Sequence, residues 1–383
     1  MKTKKIETRL THAGRGKEHF INPPVTRAAT ILFDSVAHMY SLEEGRYDGK
    51  DLYYGRYGTS TTHSLTEALA TMEGCDRAVI YPSGVAAAVG AMLTILKPGD
   101  HMLMTEGDYP NSKRAAEEIL RPMQVDTEYY DPLIGAGIEK KIRPNTRAIY
   151  MESPASSTME FQDIPAIVKV ARNHNITTII DNTWGTPLRF RPLQLGVDLV
   201  IQSATKHISG HSDVMMGVVS GQQPLIDKVA RQAVVLGYCV SADEAYLALR
   251  GLRTMQVRMD QCEKSAREIA GYLKNRAEIV AVLHPEFDAP GKEIFARDFS
   301  GGNGVFSFVL NPKYDDAAAA RFVDGMKLFG LGFSWGGFES LIVPQNPTRS
   351  FSSIPKGRII RLSIGLENVK DLIEDLSAGF SRL

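Results

Sequence analysis

The sequence predicts an α/β protein: a mainly parallel sheet with helices on both faces, a smaller C-terminal α/β unit and an extended N-terminal arm. Three observations carry that expectation. The runs at residues 176–181 and 198–206 are apolar, rich in β-branched residues and closed by a polar group, which is the pattern of strands buried on both faces. Helical patterns of ten or more residues separate such runs, as the crossovers of parallel strands require. Beyond about residue 300 the strand-like runs and helices interleave differently, which suggests a second unit on an antiparallel sheet.

Residues 1–60 show no regular periodicity. Pro23-Pro24 and Tyr53-Tyr-Gly-Arg-Tyr-Gly58 read as turns in an arm. A helix is expected over 64–73, where Leu65, Leu69 and Met72 stand at i, i+4 and i+7. A strand at 77–81 then runs through Ser83-Gly84 into a small-residue helix at 85–96. Strand 101–105 precedes helix 111–120, and strand 146–151 precedes helix 164–173. The strands ending at Asp181 and near Ser203 follow, then one at 214–220. After a long helix around 242–272, strand-like segments at 304–310, 332–335 and 358–363 interleave with helices at 317–329 and 369–380. The expected organisation is an arm over 1–60, a first domain over 61–245 and a second over 246–383.

Composition narrows the function classes. The chain has 383 residues, 43% of them hydrophobic, and its 44 Lys+Arg balance 44 Asp+Glu. No basic stripe points to nucleic acid, and no polybasic tail to a membrane. The longest apolar stretch, 85–96, is shorter than the roughly 18 residues a span requires. Cys75, Cys239 and Cys262 are widely spaced and fit free thiols in a reducing compartment. No apolar core follows the polar N-terminus, so a secretory signal is not expected. The expectation is a soluble cytoplasmic protein.

Asp181 and Lys206 close two of the predicted strands, and strand C-terminal ends are where open α/β sheets bind ligands. A carboxylate and an amine there are the two protein groups that pyridoxal phosphate needs. The amine condenses with the aldehyde, and the carboxylate keeps the ring nitrogen protonated. Around them, Ser83-Gly84-Val85 could offer helix N-terminal amides to a phosphate, though such turns often only start helices. Ser203 and Thr205 could bind phosphate or cap turns. Tyr109, ending Thr105-Glu-Gly-Asp-Tyr109, could stack on a flat ring or fill a packing gap. Asp181 alone could be an N-cap and Lys206 alone a surface lysine. Together they form a constellation that packing does not explain.

Three other patterns carry less. Ser203-Ala-Thr-Lys206 matches S-x-x-K, but the S-D-N and K-T-G elements of that serine chemistry are missing. His207 and His211 stand at i, i+4, yet Gly210 interrupts them and no H-E-x-x-H surrounds them, so no metal site is expected. Gly135-Ala-Gly137 lacks the third glycine of a dinucleotide fingerprint and reads as a turn.

Over nearly its whole length the chain resembles the cysteine/methionine-metabolism family of fold-type I pyridoxal-phosphate enzymes. The motifs that carry the resemblance are Tyr54-Gly-Arg56, the loop at Gly84, Glu152-Ser-Pro154, Ile180-Asp-Asn-Thr-Trp184, Ser203-Ala-Thr-Lys206 with Gly210-His-Ser-Asp213, Arg250-Gly-Leu-Arg253 and Ser334-Trp-Gly-Gly-Phe-Glu-Ser340. The resemblance implies that Lys206 anchors the cofactor, Asp181 partners its ring nitrogen and Tyr109 stacks on the ring. It implies a phosphate cradle of Gly84, Val85, Ser203 and Thr205, completed by Tyr54 and Arg56 from a neighbouring subunit. The expected assembly is therefore a homo-oligomer, a tetramer built from dimers with shared sites. Arg361, in Ile359-Ile-Arg-Leu-Ser363, resembles the arginine that holds a substrate carboxylate, with Ser334 and Trp335 nearby.

The reaction implied is β-elimination of L-cystathionine to homocysteine, pyruvate and ammonia, with Lys206 and Tyr109 as catalytic groups. Ala155-Ser-Ser-Thr158, which stands where γ-acting members usually place an asparagine, and Trp335 favour that branch. Tyr57 is shared more with the γ-acting members. A γ-lyase or γ-synthase is the nearest alternative; a Ser203 acyl-transferase and a non-catalytic vitamin-B6-binding regulator are remoter ones.

Overall fold

The computed structural model describes residues 4–16, 20–351 and 353–383; residues 1–3 and 17–19 of the expected arm lie outside them. Seven strands make the first sheet: β1 (Arg77–Tyr81), β2 (His101–Thr105), β3 (Asp126–Tyr130), β4 (Thr146–Glu152), β5 (Thr177–Asp181), β6 (Leu199–Ser203) and β7 (Gly217–Gly221). Their order is β1-β7-β6-β5-β4-β2-β3. The run from β3 to β6 is parallel, and β7 lies antiparallel between β6 and β1. The chain steps outward from β2 to β3, then returns to β4 and proceeds the other way. Such a reversal opens a crevice beyond the C-terminal ends of β2 and β4. Tyr109 follows the first of these strands and Glu152 ends the second.

Local sequence explains how the helices frame that edge. In the helix Ile164–Asn173, Asp163 caps the Ala166 amide at 3.2 Å. Ile164, Ile167, Val168 and Ala171, at i, i+3, i+4 and i+7, turn one face onto the sheet and are buried. Burying each of the three larger side chains contributes about 1.5–3 kcal/mol. The helix Gly84–Ile95 uses another device, small residues. A Cβ on Gly90 would stand 2.6 Å from the Tyr81 ring, and one on Gly217 would stand 2.2 Å from the Ser83 carbonyl. Only glycine permits so close an approach, and it brings the helix N-terminus up to the tip of β6.

The second sheet has β8 (Ile279–Leu283), β9 (Val305–Leu310), β10 (Gly330–Leu331), β11 (Leu341–Gln345) and β12 (Ile359–Ser363) in the order β10-β11-β12-β9-β8. It is antiparallel apart from the β10–β11 pair. A separate apolar core lies here, built from Phe306, Phe308, Phe322, Leu372 and their neighbours. The two units meet at the loop after β5. Trp184 Nε1 donates to the Val305 carbonyl at 3.0 Å, and Asn303 Nδ2 donates to the Trp184 carbonyl at 2.7 Å.

Several elements depart from the sequence expectation. Strand β3 was not foreseen because it is an edge strand, and Asp126-Thr-Glu-Tyr-Tyr130 presents charge to solvent. Strand β11 carries Pro344, which weakens a strand signal. Its partner β10 pairs only with Leu341 and Ile342, so no hydrogen bond is demanded of Pro344 on that side. The long helix expected around 242–272 is two, Ala242–Leu252 and Met255–Lys274. Residues 332–335 are a turn and not a strand, with Ser334 at φ +91° and Gly336 at φ +78°. Among the described residues no helix is long and apolar enough to cross a membrane.

Candidate active site

Strands β4, β5 and β6 bring three tips side by side, with Glu152 opposite Asp181 and Asp181 opposite Ile201. A chain of hydrogen bonds ties the last two tips. The Ser203 amide donates to Thr183 Oγ1 at 2.8 Å, and Thr183 Oγ1 donates to Asp181 Oδ1 at 2.5 Å. The Thr183 amide adds a second bond to Oδ1 at 2.8 Å. Asp181 Oδ2 has no hydrogen-bond partner among the described residues. Burial pushes the Asp181 carboxyl above its usual range, against the lowering pull of Thr183 and then Lys206. Asp181 is therefore fixed by its own loop and keeps one oxygen for the cleft.

Lys206 lies in the turn after β6. Its amide donates to the Ser203 carbonyl at 3.1 Å, and the Gly210 amide donates to its carbonyl at 2.8 Å. Buried Arg258 braces the turn by donating to the carbonyls of His207 at 2.9 Å and Gly251 at 2.7 Å. The side chain reaches across to the second unit, where Nζ donates to Ser334 Oγ at 2.7 Å and lies 5.7 Å from the Trp335 ring centre. Arg361, on β12, donates to the Ser334 carbonyl at 3.2 Å. Burial and then the Arg361 charge lower Lys206, to about 8, with Asp181 opposing them. Burial likewise lowers Arg361, to about 10, with Tyr109 and Glu152 raising it. Neither cation has a carboxylate within salt-bridge reach among the described residues. An unpaired, desolvated guanidinium is a carboxylate receptor.

At the other end of the cleft, Ser83 Oγ accepts the Ala86 amide at 3.1 Å and caps the helix. Among the described residues the amides of Gly84 and Val85 meet no acceptor, and a Cβ on Gly84 would stand 2.8 Å from Ser203 Oγ. Those amides and the unpaired Ser203 hydroxyl form a cradle suited to an anion. Thr205 contributes differently: its Oγ1 accepts the Met216 amide at 2.9 Å and donates to the Met216 carbonyl at 3.3 Å. Its hydroxyl is already engaged in holding the turn. Among the described residues Lys206 Nζ bonds to Ser334 Oγ and not to the Ser203 hydroxyl, so the activated serine of an S-x-x-K site is not formed here.

Tyr109 sits beside the crevice with its ring half-exposed, and its amide donates to Glu152 Oε2 at 2.7 Å. Sequence reasoning gave Glu152 no role, nor Asp108 beside it. Burial raises both carboxyls above the ordinary range, and their closeness to each other raises Glu152 further. The signal was present for Glu152, which closes an apolar run just as Asp181 does. Tyr54 and Arg56 stand apart from this cluster. Both are exposed, and Arg56 donates to the Val234 carbonyl at 2.7 Å. His211 Nδ1 bonds the Ser209 carbonyl at 2.6 Å, and among the described residues no group of three or more His, Cys, Asp or Glu could hold a metal ion.

Comparison with known proteins agrees with this geometry. The family model described as Cys/Met metabolism PLP-dependent enzyme matches residues 7–381. The chain is 40% identical to the cystathionine beta-lyase MetC of Escherichia coli, covering 100% of both chains. It is 38% identical to the L-alanine/L-glutamate racemase of Wolbachia pipientis, covering 99% of this chain and 98% of the relative. The solved structure of metB from Corynebacterium glutamicum superposes with a TM-score of 0.91 at 29% identity, covering 99% of this chain and 98% of that one.

The electrostatics of the cleft can be read directly. In cofactor-free protein, the reactivity of Lys206 toward a small amine reagent, followed by peptide mapping, is expected to rise with a midpoint near pH 8. Arg361→Met removes a positive neighbour and should move that midpoint up; Asp181→Asn removes a negative one and should move it down. A midpoint in the ordinary lysine range, or shifts of the opposite sign, would contradict the arrangement.

Proposed function

The chain belongs to the Cys/Met metabolism PLP-dependent enzymes, and on that footing we propose that it is a carbon–sulfur lyase that cleaves L-cystathionine by β-elimination to homocysteine, pyruvate and ammonia. The observation that carries the reading is the pair of buried cations on one serine, Lys206 on Ser334 Oγ and Arg361 on the Ser334 carbonyl. An amino-acid substrate held by its α-carboxylate at Arg361 brings Cα to the lysine.

The residues present fit pyridoxal phosphate. The free amides of Gly84 and Val85 and the Ser203 hydroxyl would hold its phosphate, Thr205 would hold the turn behind them, and Lys206 would bind its aldehyde carbon. Asp181 Oδ2 would meet the ring nitrogen and Tyr109 would lie against the ring. When bound, the cofactor supplies an electron sink for the charge left at Cα. Lys206, lowered to about 8, is a base matched to near-neutral pH and takes the Cα proton at Nζ. The departing sulfur receives its proton from Lys206 or Tyr109. Trp335, beside the amine, restricts how a long substrate lies and supports placing its cysteine half over Lys206. The segment Ala155-Ser-Ser-Thr158 supports the same choice, since Ala155 is buried and Ser156 Oγ donates to Glu152 Oε1.

The exposed Tyr54 and Arg56, with Arg56 bonded to the Val234 carbonyl and not to the cluster, support a homo-oligomer in which they complete a neighbour's phosphate site, in a tetramer built from such dimers. The three unpaired cysteines support work in the cytoplasm.

Identifying the products from L-cystathionine tests the reaction. Pyruvate, ammonia and homocysteine are expected. 2-Oxobutyrate with cysteine would make the enzyme γ-acting, and D-alanine from L-alanine without cleavage of cystathionine would make it a racemase. Co-assembly tests the shared site: two inactive variants, Arg56→Ala and Lys206→Ala, should regain part of the activity in mixed oligomers. No recovery in demonstrably mixed assemblies would assign Arg56 to its own chain.

A further inference from the structure

Arg349 lies between β11 and β12, and it meets two carboxylates away from water. Side-chain exposure is 9% for Arg349, 7% for Glu106 and 1% for Glu160. Nε donates to Glu106 Oε2 at 3.2 Å, one terminal nitrogen donates to Glu160 Oε1 at 3.0 Å, and the other donates to the Thr158 hydroxyl. The Glu106 carboxylate also accepts the amides of Ser350 at 2.7 Å and Phe351 at 2.9 Å. Glu160 Oε1 accepts the Ser353 hydroxyl at 2.9 Å. Charges this deeply placed persist only when their geometry is good, and a forked guanidinium supplies it.

What the cluster joins decides what it can do. Glu106 stands three residues before Tyr109. Thr158 and Glu160 belong to the loop after Glu152. Arg349 precedes the strand that carries Arg361. The two loops of the first unit already touch: the Ser156 amide donates to the Gly107 carbonyl at 3.0 Å, and a Cβ on Gly107 would stand 2.5 Å from that of Ala155. Ser157 Oγ in turn donates to Gln345 Oε1 at 3.0 Å. Arg349 grips both loops at once from the second unit.

We propose that Arg349 is a positioning residue: by locking the Tyr109 loop and the Ala155–Glu160 loop against the segment leading into β12, it shapes the wall along which the far half of a thioether substrate lies, and so favours long substrates over short ones. The proposal rests on the lyase reading above. The near end of any amino-acid substrate is held by Lys206 and Arg361, neither of which bonds to the cluster. Only a side chain long enough to run along the loops depends on where the lock puts them.

The test compares holoenzyme of wild type and Arg349→Lys, which keeps the charge and loses the fork, on L-cystathionine and on β-chloro-L-alanine. The expected result is a loss of roughly ten- to a hundredfold in kcat/KM for cystathionine, carried mainly by KM. Turnover of β-chloro-L-alanine should change less than about twofold. Amide hydrogen exchange across 106–109 and 155–160 should accelerate together. Equal losses on both substrates, or faster exchange with no loss on cystathionine, would overturn the proposal. If Arg349→Lys does not fold, Glu106→Gln opens the same lock from the other side and carries the same expectations. A wild type that eliminates chloride but leaves cystathionine intact would sink the cystathionine reading. The lock itself would then stand or fall on synchronous exchange in the two loops.

Discussion

The cleft depends on burying two positive groups side by side. Lys206 and Arg361 meet at Ser334, one on its hydroxyl and the other on its carbonyl. Burial first, and the neighbouring Arg361 charge second, lower the amine to about 8 against the pull of Asp181. Arg361, which holds its proton far more firmly than lysine, stays charged even when lowered to about 10. An ordinary surface lysine would stay charged and could neither attack a carbonyl carbon nor accept a proton at neutral pH. Ser334 itself sits at φ +91°, a conformation that costs a non-glycine residue about 1–3 kcal/mol. That cost is tolerated because the turn presents both of its oxygens to the cations. The neighbouring Gly336, at φ +78° and pressed against His207, completes the bend.

The two sheets divide the work by their geometry. Parallel strands deliver all their C-terminal ends to one edge, so the first sheet supplies Asp181, Glu152 and the turn of Lys206 as adjacent tips. An antiparallel sheet has no such edge. The second unit instead contributes a turn, at Ser334 and Trp335, and a residue on its central strand, Arg361. On the proposed reading, the side chains that would meet the ring nitrogen and phosphate of the cofactor come from the first sheet, and Arg361, which would hold the substrate carboxylate, comes from the second. Contacts between the units, such as Trp184 with Val305 and the Arg349 cluster, control the alignment of one set with the other.

Much of this was legible in the sequence because buried parallel strands have a plain pattern. The runs closed by Asp181 and Lys206 could be read as tips, and Gly84 as the entry to a small-residue helix. The resemblance then supplied Arg361, Ser334, Trp335 and the arm residues, which periodicity alone does not single out. Elements at sheet edges escaped: β3 is short and carries Asp126 and Glu128, and β8 is a five-residue apolar run that closely follows a long helix. Gly-Phe-Ser-Trp335 alternates as a strand does, while the positive φ of Ser334 belongs to a turn whose bonds to Lys206 and Arg361 come from far along the chain. The Arg349 cluster was invisible for a related reason. Its partners lie 189 and 243 positions away in the chain, and each alone looks like a surface charge.

Borohydride reduction of the purified holoprotein, followed by peptide mapping, tests the central claim most directly. The protein should be yellow, lose that colour on reduction, and carry the pyridoxyl label on the peptide containing Lys206 alone. A label on another lysine, or none at all in a protein active on cystathionine, would contradict the account.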